Sequence, residues 1–199
     1  MLKEVASTQL TELRLVFTRR GRSVEAIAEA VGGHCAGNGL WRFYSRSYPS
    51  GGIEGWNRPA AEWRQAWRGM PGTLVFFGED LFGNQLCLHP ERDSVLLWHH
   101  ESGELEDMEL DLLTVLEAAE TSGLSWLDVY GQEITNVAGL FRNKLKDTEH
   151  LHWTTPLVLG GAVEAANVTV LERSTHLVGH ARLWDRIKDI PPGGSVILK

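Results

Sequence analysis

FFGEDLFGNQLCLH, residues 76–89, decides how this chain is read. Apolar residues lead in, Gly78 interrupts them, Glu79 and Asp80 stand side by side, and Phe82-Gly83 repeats the Phe-Gly pair before an apolar run resumes. Two adjacent carboxylates framed by glycines belong either to a catalytic pocket or to a strand connection. Paired acid–base catalysis needs two carboxyls roughly 5–10 Å apart facing one pocket. Neighbouring side chains in an extended segment point to opposite faces, so Glu79 and Asp80 do not make such a pair by themselves. Gly78 and Gly83 can take positive φ and Asn84 tolerates it, which favours turn chemistry. The stretch therefore predicts two strands and a glycine-framed connection, with Phe76 or Phe77 and Phe82 packing the sheet.

Working outward, TLVFF (73–77), NQLCL (84–88) and SVLLW (94–98) are short apolar runs separated by turn-prone segments. Connectors this short suit an antiparallel meander, since parallel strands need a crossover of about a dozen residues or more. GLWRFYS (39–45) reads as a further strand and 46–57 as a loop. Pro59 is placed to open a short helix carrying Trp63 and Trp67 one turn apart. Leu112, Val115 and Ala119 share a helical face in a helix predicted from Met108, and another helix is expected around 133–145. TTPLVLGG (154–161) and NVTVLE (167–172) read as a strand pair, Thr175 as the cap of a last helix, and 191–198 as a turn into a terminal strand. Leu10, Leu13 and Phe17, then Val24, Ile27, Ala28 and Val31, give two opening helices.

The chain has 199 residues, 43% hydrophobic and 23% charged, which is ordinary globular composition sized for one domain. Lys3, Glu4, Glu12 and Arg14 interrupt any signal-peptide core, and no later run approaches the ~18 apolar residues of a membrane span. Cys35 and Cys87 are expected to be free thiols in a cytoplasmic protein.

Candidate chemistry is sparse. His176 and His180 have the i,i+4 spacing that can place two imidazoles on one metal, but Leu177 stands where a zinc protease carries glutamate. His99-His100 and His150-Leu151-His152 offer further ligands, with nothing in the sequence to link them. There is no Gly-x-Ser-x-Gly elbow, and Cys35 beside His34 lies in a glycine-rich segment explained as a helix exit. GGHCAGNG lacks the strand and helix that a phosphate loop requires. Trp56, Trp63 and Trp67 are expected to pack in a core or against a partner rather than stack on bases. The expectation is a protein with no catalytic residues, no metal and no cofactor, and a metal-dependent hydrolase built on the histidines is the remote alternative.

Charge is unevenly placed. Residues 1–68 hold ten Lys/Arg against six Asp/Glu, whereas 93–141 hold eleven Asp/Glu and no Lys or Arg. Such a face repels nucleic acid and attracts basic proteins. Glu101, Glu104, Glu106, Asp107, Glu109 and Asp111 are either the solvated face of a helix or a docking surface.

The segment LVFFGEDLFGNQLCLHPERDSVLLWHHESGE (74–104) resembles the signature of the SUKH superfamily of Smi/Knr-type proteins. The resemblance is carried by a strand ending in Gly-acid, then Phe-Gly-Asn, a second strand, a turn and a strand ending in Trp. Gly78, Glu79, Asp80, Phe82, Gly83 and Asn84 form that signature turn. PLVLGG (156–161), NVTVLE (167–172), a helix and a Pro-Gly turn continue the order, so the resemblance covers about 38–198. It implies an α+β single domain at 38–199, with a central mixed, largely antiparallel sheet flanked by helices, and an added helical region at 1–37. It also implies a non-enzymatic protein-binding role. Many bacterial members are immunity proteins that neutralise a toxin, and fungal relatives are signalling scaffolds. The expected partner is a basic toxin domain, with no direct nucleic-acid or membrane contact.

Overall fold

Six strands succeed one another across a sheet in simple chain order, every pairing antiparallel. The computed structural model describes residues 35–36, 40–49, 51–89, 91–115, 131–141 and 144–191. The strands are β1 (Cys35–Ala36), β2 (Trp41–Phe43), β3 (Val75–Asp80), β4 (Gln85–Leu88), β5 (Ser94–Trp98) and β6 (Leu105–Asp111). Two short helices, α1 (Gly52–Trp56) and α2 (Glu62–Ala66), lie between β2 and β3, and α3 (Gly131–Gly139) follows β6. A second, two-stranded antiparallel sheet pairs β7 (Glu149–Trp153) with β8 (Val168–Glu172), and α4 (Arg173–Ile187) closes the described chain. The architecture is α+β. The amino-terminal helices and the terminal strand expected from the sequence lie outside the described residues.

The 76–89 stretch is β3, a four-residue turn and β4. Gly78 does not break the strand: Phe43 lies opposite it in β2, and a Cβ at Gly78 would stand 2.9 Å from the Phe43 ring. The position is glycine because of close packing, not because of positive φ. Gly83, at φ 94°, is the residue that turns the chain. Phe76 and Phe77 are fully buried in the main core, and Phe82 stacks on Trp153 in a smaller one, ring centroids 4.6 Å apart.

The tryptophans pack inward. Trp56, Trp63, Trp67 and Trp98 are all buried in the main core, and Trp63 meets Phe76 edge to face at 5.1 Å. Three of the indole N–H groups have acceptors in the interior: Trp56 donates to Gln85 Oε1, Trp63 to Trp56 O and Trp67 to Leu177 O. The last of these ties α2 to α4.

Several expected elements are displaced. The 46–57 loop contains α1, and the short tryptophan helix begins at Glu62, with Pro59 in the preceding turn. Met108 to Asp111 complete a strand, so helix begins only at 112, where Leu112 and Val115 are buried one turn apart over 112–115. Residues 154–161 are not the partner of 167–172. Pro156 lacks an N–H, the Leu157 and Val158 N–H groups go to the Glu101 carboxylate, and the segment curls into a 3-10 turn ending at Gly160, φ 84°. EHLHW takes the strand position instead. Helix α4 starts two residues before Thr175, capped by Glu172, whose carboxylate accepts from the Thr175 N–H at 2.8 Å.

A Gly78→Ala substitution tests the packing reading. Phe43 stacks on Phe77 and has no free direction, so the variant should lose about 1–3 kcal/mol in urea unfolding. Gly72→Ala, where a Cβ meets nothing within 4 Å, should change stability little.

Candidate functional site

Strand alternation and helix periodicity meet beneath α4. In β7, Leu151 and Trp153 face the small core, which sends His150 and His152 to the opposite face. On α4, His176 and His180 are one turn apart on a common face. These two faces oppose each other, and His100, just after β5, joins them. Five imidazoles thus meet edge to face, with centroid separations of 4.6–5.3 Å. The i,i+4 pair was legible in the sequence, and His-x-His alternation in a strand is the signal that would have supplied its partners.

Glu79 and Asp80 support this cluster by separate routes. Glu79 is wholly buried and meets Arg173, the first residue of α4, through Oε2. Tyr44 donates to Oε2 at 2.8 Å and Tyr48 to Oε1 at 3.1 Å. His150 Nε2 stands 3.0 Å from Oε2, an ion-pair distance rather than a well-aligned hydrogen bond. Burial alone would raise the Glu79 carboxyl; Arg173 first, then His150, overcome it and hold it well below the usual carboxylate range. Arg173 is seated on Trp56, its guanidinium carbon 4.4 Å from the ring centroid.

Asp80 turns the other way. Its Oδ1 accepts from the Phe82 and Asn84 N–H groups, closing the turn, and its Oδ2 accepts from Asn84 Nδ2. That fixes Asn84 with Oδ1 toward His100, 2.8 Å from its Nδ1. Gly83 lies against the same cluster: a Cβ there would stand 2.8 Å from His150 Nδ1 and 3.3 Å from His176 Nδ1. The two carboxylates therefore face different partners and do not meet in one pocket. All six residues of the signature segment are buried or, for Gly83, packed directly on a histidine, so its role exceeds that of a surface turn.

His100, His176 and His180 are held toward the neutral form. Burial, then the neighbouring His180, holds His100 far below the ordinary histidine range; burial, then His100, does the same for His176. Burial, then His152, brings His180 down to about 3. His176 Nδ1 is 3.1 Å from His150 Nδ1, and His180 Nε2 is 3.3 Å from His152 Nδ1. His176 Nε2 and His180 Nδ1 are left buried without hydrogen-bond partners. Such orphaned groups cost about 1–3 kcal/mol each in an apolar interior. One ring nitrogen from each of His100, His176 and His180 lies within 4.8 Å of the other two, an arrangement able to hold a metal ion.

The acidic run forms a second feature, on a strand rather than a helix. Glu104, Glu106, Asp107, Glu109 and Asp111 are exposed on and beside β6, an edge strand of the sheet among the described residues. Met108 and Leu110 pack against the core. Glu101 is different: half-buried, it holds the 157–159 turn through two backbone N–H groups. Asp111 accepts from the Thr114 N–H and so starts the next helical turn. Glu106 lies 2.8 Å from His99 Nε2, and Asp107 takes the Ser94 hydroxyl and the Glu109 N–H. The β5–β6 register shifts between Ser94 and Leu96, placing Glu109 in a bulge at φ 54°.

No family model matches the chain, and no curated protein matches it. The crystal structure of Atu4351 from Agrobacterium tumefaciens is similar over 73% of this chain and 67% of that chain. Its TM-score is 0.47 and its identity 12%.

Two outcomes check these assignments. Glu79→Gln and Arg173→Met should each cost about 3–5 kcal/mol, because each leaves the other charge buried, and the double variant should cost clearly less than their sum. Additive losses would mean the two side chains act independently. Glu109→Gly should gain roughly 0.5–1 kcal/mol in thermal unfolding by relieving the left-handed backbone.

Proposed function

We propose that this chain is a non-enzymatic protein-binding domain of SUKH type, an immunity protein that binds and neutralises a basic toxin in the cytoplasm. The observation that carries the reading is the acidic edge: five exposed carboxylates on and beside β6, within a segment, 93–141, that contains no Lys or Arg. Ordinary surfaces intersperse both signs. Arg92 meets Asp107 at 3.5 Å on this edge but is outnumbered by carboxylates, and a field dominated by one sign accelerates encounter with a partner of the other and fixes its orientation. Nuclease toxins suit such a surface, since a cleft that binds phosphates is lined with cations and carboxylates can occupy it.

The geometry of β6 supports docking in a second way. One side of the strand pairs with β5, and its charges and bulge are the devices that keep an outermost strand from pairing with copies of itself. Glu104, Glu106 and Glu109 are the residues best placed to meet a partner, whereas Glu101 is committed to the 157–159 turn. Inhibition on this reading is occlusion and needs no chemistry from the inhibitor. Among the described residues no helix is long and apolar enough to cross a membrane. A regulatory scaffold of the same fold would use the same edge, without a toxin.

The test is co-expression with the product of a toxin gene adjoining this one in its native genome. Growth should be rescued, and the purified pair should associate more slowly as salt rises. Charge reversal at Glu106, Asp107 and Glu109 together should slow association by about tenfold or more with the fold intact. Full-strength binding by that variant would move the interface elsewhere, and failure to bind or rescue would overturn the immunity reading.

A further inference from the structure

The histidine cluster does more than fill space. Five imidazoles packed edge to face would be an ordinary aromatic core if each buried ring nitrogen had a partner; His150 Nε2 has the Glu79 carboxylate 3.0 Å away, but two others have none. His176 Nε2 and His180 Nδ1 are buried without partners on side chains only 1% and 3% exposed. Buried polar atoms in folded proteins are satisfied in the great majority of cases, so two orphans in one cluster point to an absent ligand. We propose that His100, His176 and His180 form a binding site for a divalent transition metal of the zinc class, with three imidazole ligands and a fourth position open.

The nitrogens are already gathered. One from each ring lies within 4.8 Å of the others, and tetrahedral coordination with bonds of about 2.0–2.1 Å separates ligand atoms by about 3.4 Å. Closing that difference asks each ring to move inward by roughly an ångström or less. A set made only of imidazoles selects zinc, copper, nickel or cobalt over magnesium and calcium, which prefer oxygen.

The surroundings supply what a metal-bound histidine requires of its other nitrogen. His100 Nδ1 faces Asn84 Oδ1, and the Asn84 amide is oriented by Asp80, so the proton sits on Nδ1 and Nε2 is left as a ligand. Glu79 beside His150 Nε2 draws a proton to that nitrogen and leaves His150 Nδ1 to accept from His176 Nδ1. His176 Nε2 is then the free lone pair. On the third ring, Nε2 faces His152 Nδ1 at 3.3 Å, and the tautomer that donates from Nε2 leaves Nδ1 as the free lone pair. Both unpartnered atoms are thus the ones these tautomers leave as ligands. Two clefts reach the trio, one of about 310 Å³ beside His100 and one of about 460 Å³ beside His176 and His180, and give an ion a way in.

The experiment uses the untagged full chain, stripped with chelator and titrated with Co2+ and then Zn2+. One equivalent should bind, cobalt should develop visible absorption of low-symmetry nitrogen coordination, and zinc should raise the melting temperature. His100→Gln and His180→Gln should weaken binding by about a hundredfold or more. Asn84→Ala, which removes the support of His100 and the amide contact with Asp80 but no ligand, should weaken it by about 10–100-fold. His89→Gln, remote in the β4–β5 loop, should leave it unchanged. X-ray absorption of the zinc-loaded wild type needs no variant to fold and should show about three imidazoles. Absence of one-equivalent binding, full affinity in both ligand variants, or a shell of oxygen or sulfur donors would each overturn the assignment.

Discussion

The contact between Glu79 and Arg173 is the constraint on which the rest of this structure depends. It joins the middle of the main sheet to the first residue of α4 across 94 positions of chain. Neither charge reaches water, so each is tolerable only because the other is present. The guanidinium is held from above by Trp56, Tyr44 and Tyr48, and the carboxylate takes both tyrosine hydroxyls. With its first residue pinned in this way, α4 has one direction in which to run. That direction lays His176 and His180 over the outward face of β7.

Seen from this pair, the two adjacent acids of the 76–89 stretch divide one task. Glu79 fixes the helix that brings two histidines and touches a third, while Asp80 fixes the amide that orients His100. The alternation of a β-strand, which rules the two carboxylates out as a dyad, is what lets them serve the cluster by independent routes. Gly83 completes the arrangement, because any side chain there would occupy the place of the His150–His176 contact. Residues that read as a turn are the support of a buried site.

The parts of the fold legible in the sequence are those set by local rules. Short apolar runs with short connectors specified the meander, and β3, β4 and β5 lie where the runs at 73–98 placed them. Tryptophans at 56, 63 and 67 pack as core, each with its indole N–H on an acceptor in the same interior. Where the reading failed, a distant partner had intervened. Glu101 captures the backbone of 157–159 from 56 positions away, and with Pro156 it removes that segment from the strand it resembled. The acids at 104–111 carry no apolar alternation strong enough to mark a strand, yet pairing to β5 makes them one. Arg173 had no local signal at all, being a charged residue at a helix start whose burial depends on tertiary partners.

The acidic edge and the histidine cluster meet at one short stretch of chain. His99 and His100 are adjacent, the first meeting Glu106 on the acidic strand and the second entering the histidine cluster. The His99 N–H also bonds to the Glu104 carbonyl, so the start of β6 is registered against the same two residues. The exposed carboxylates of β6 therefore stand on backbone registered against the residues that enter the cluster. An ion at His100 would tie α4 to this turn, so the proposed metal site and the proposed docking edge would act on one another through His99 and His100.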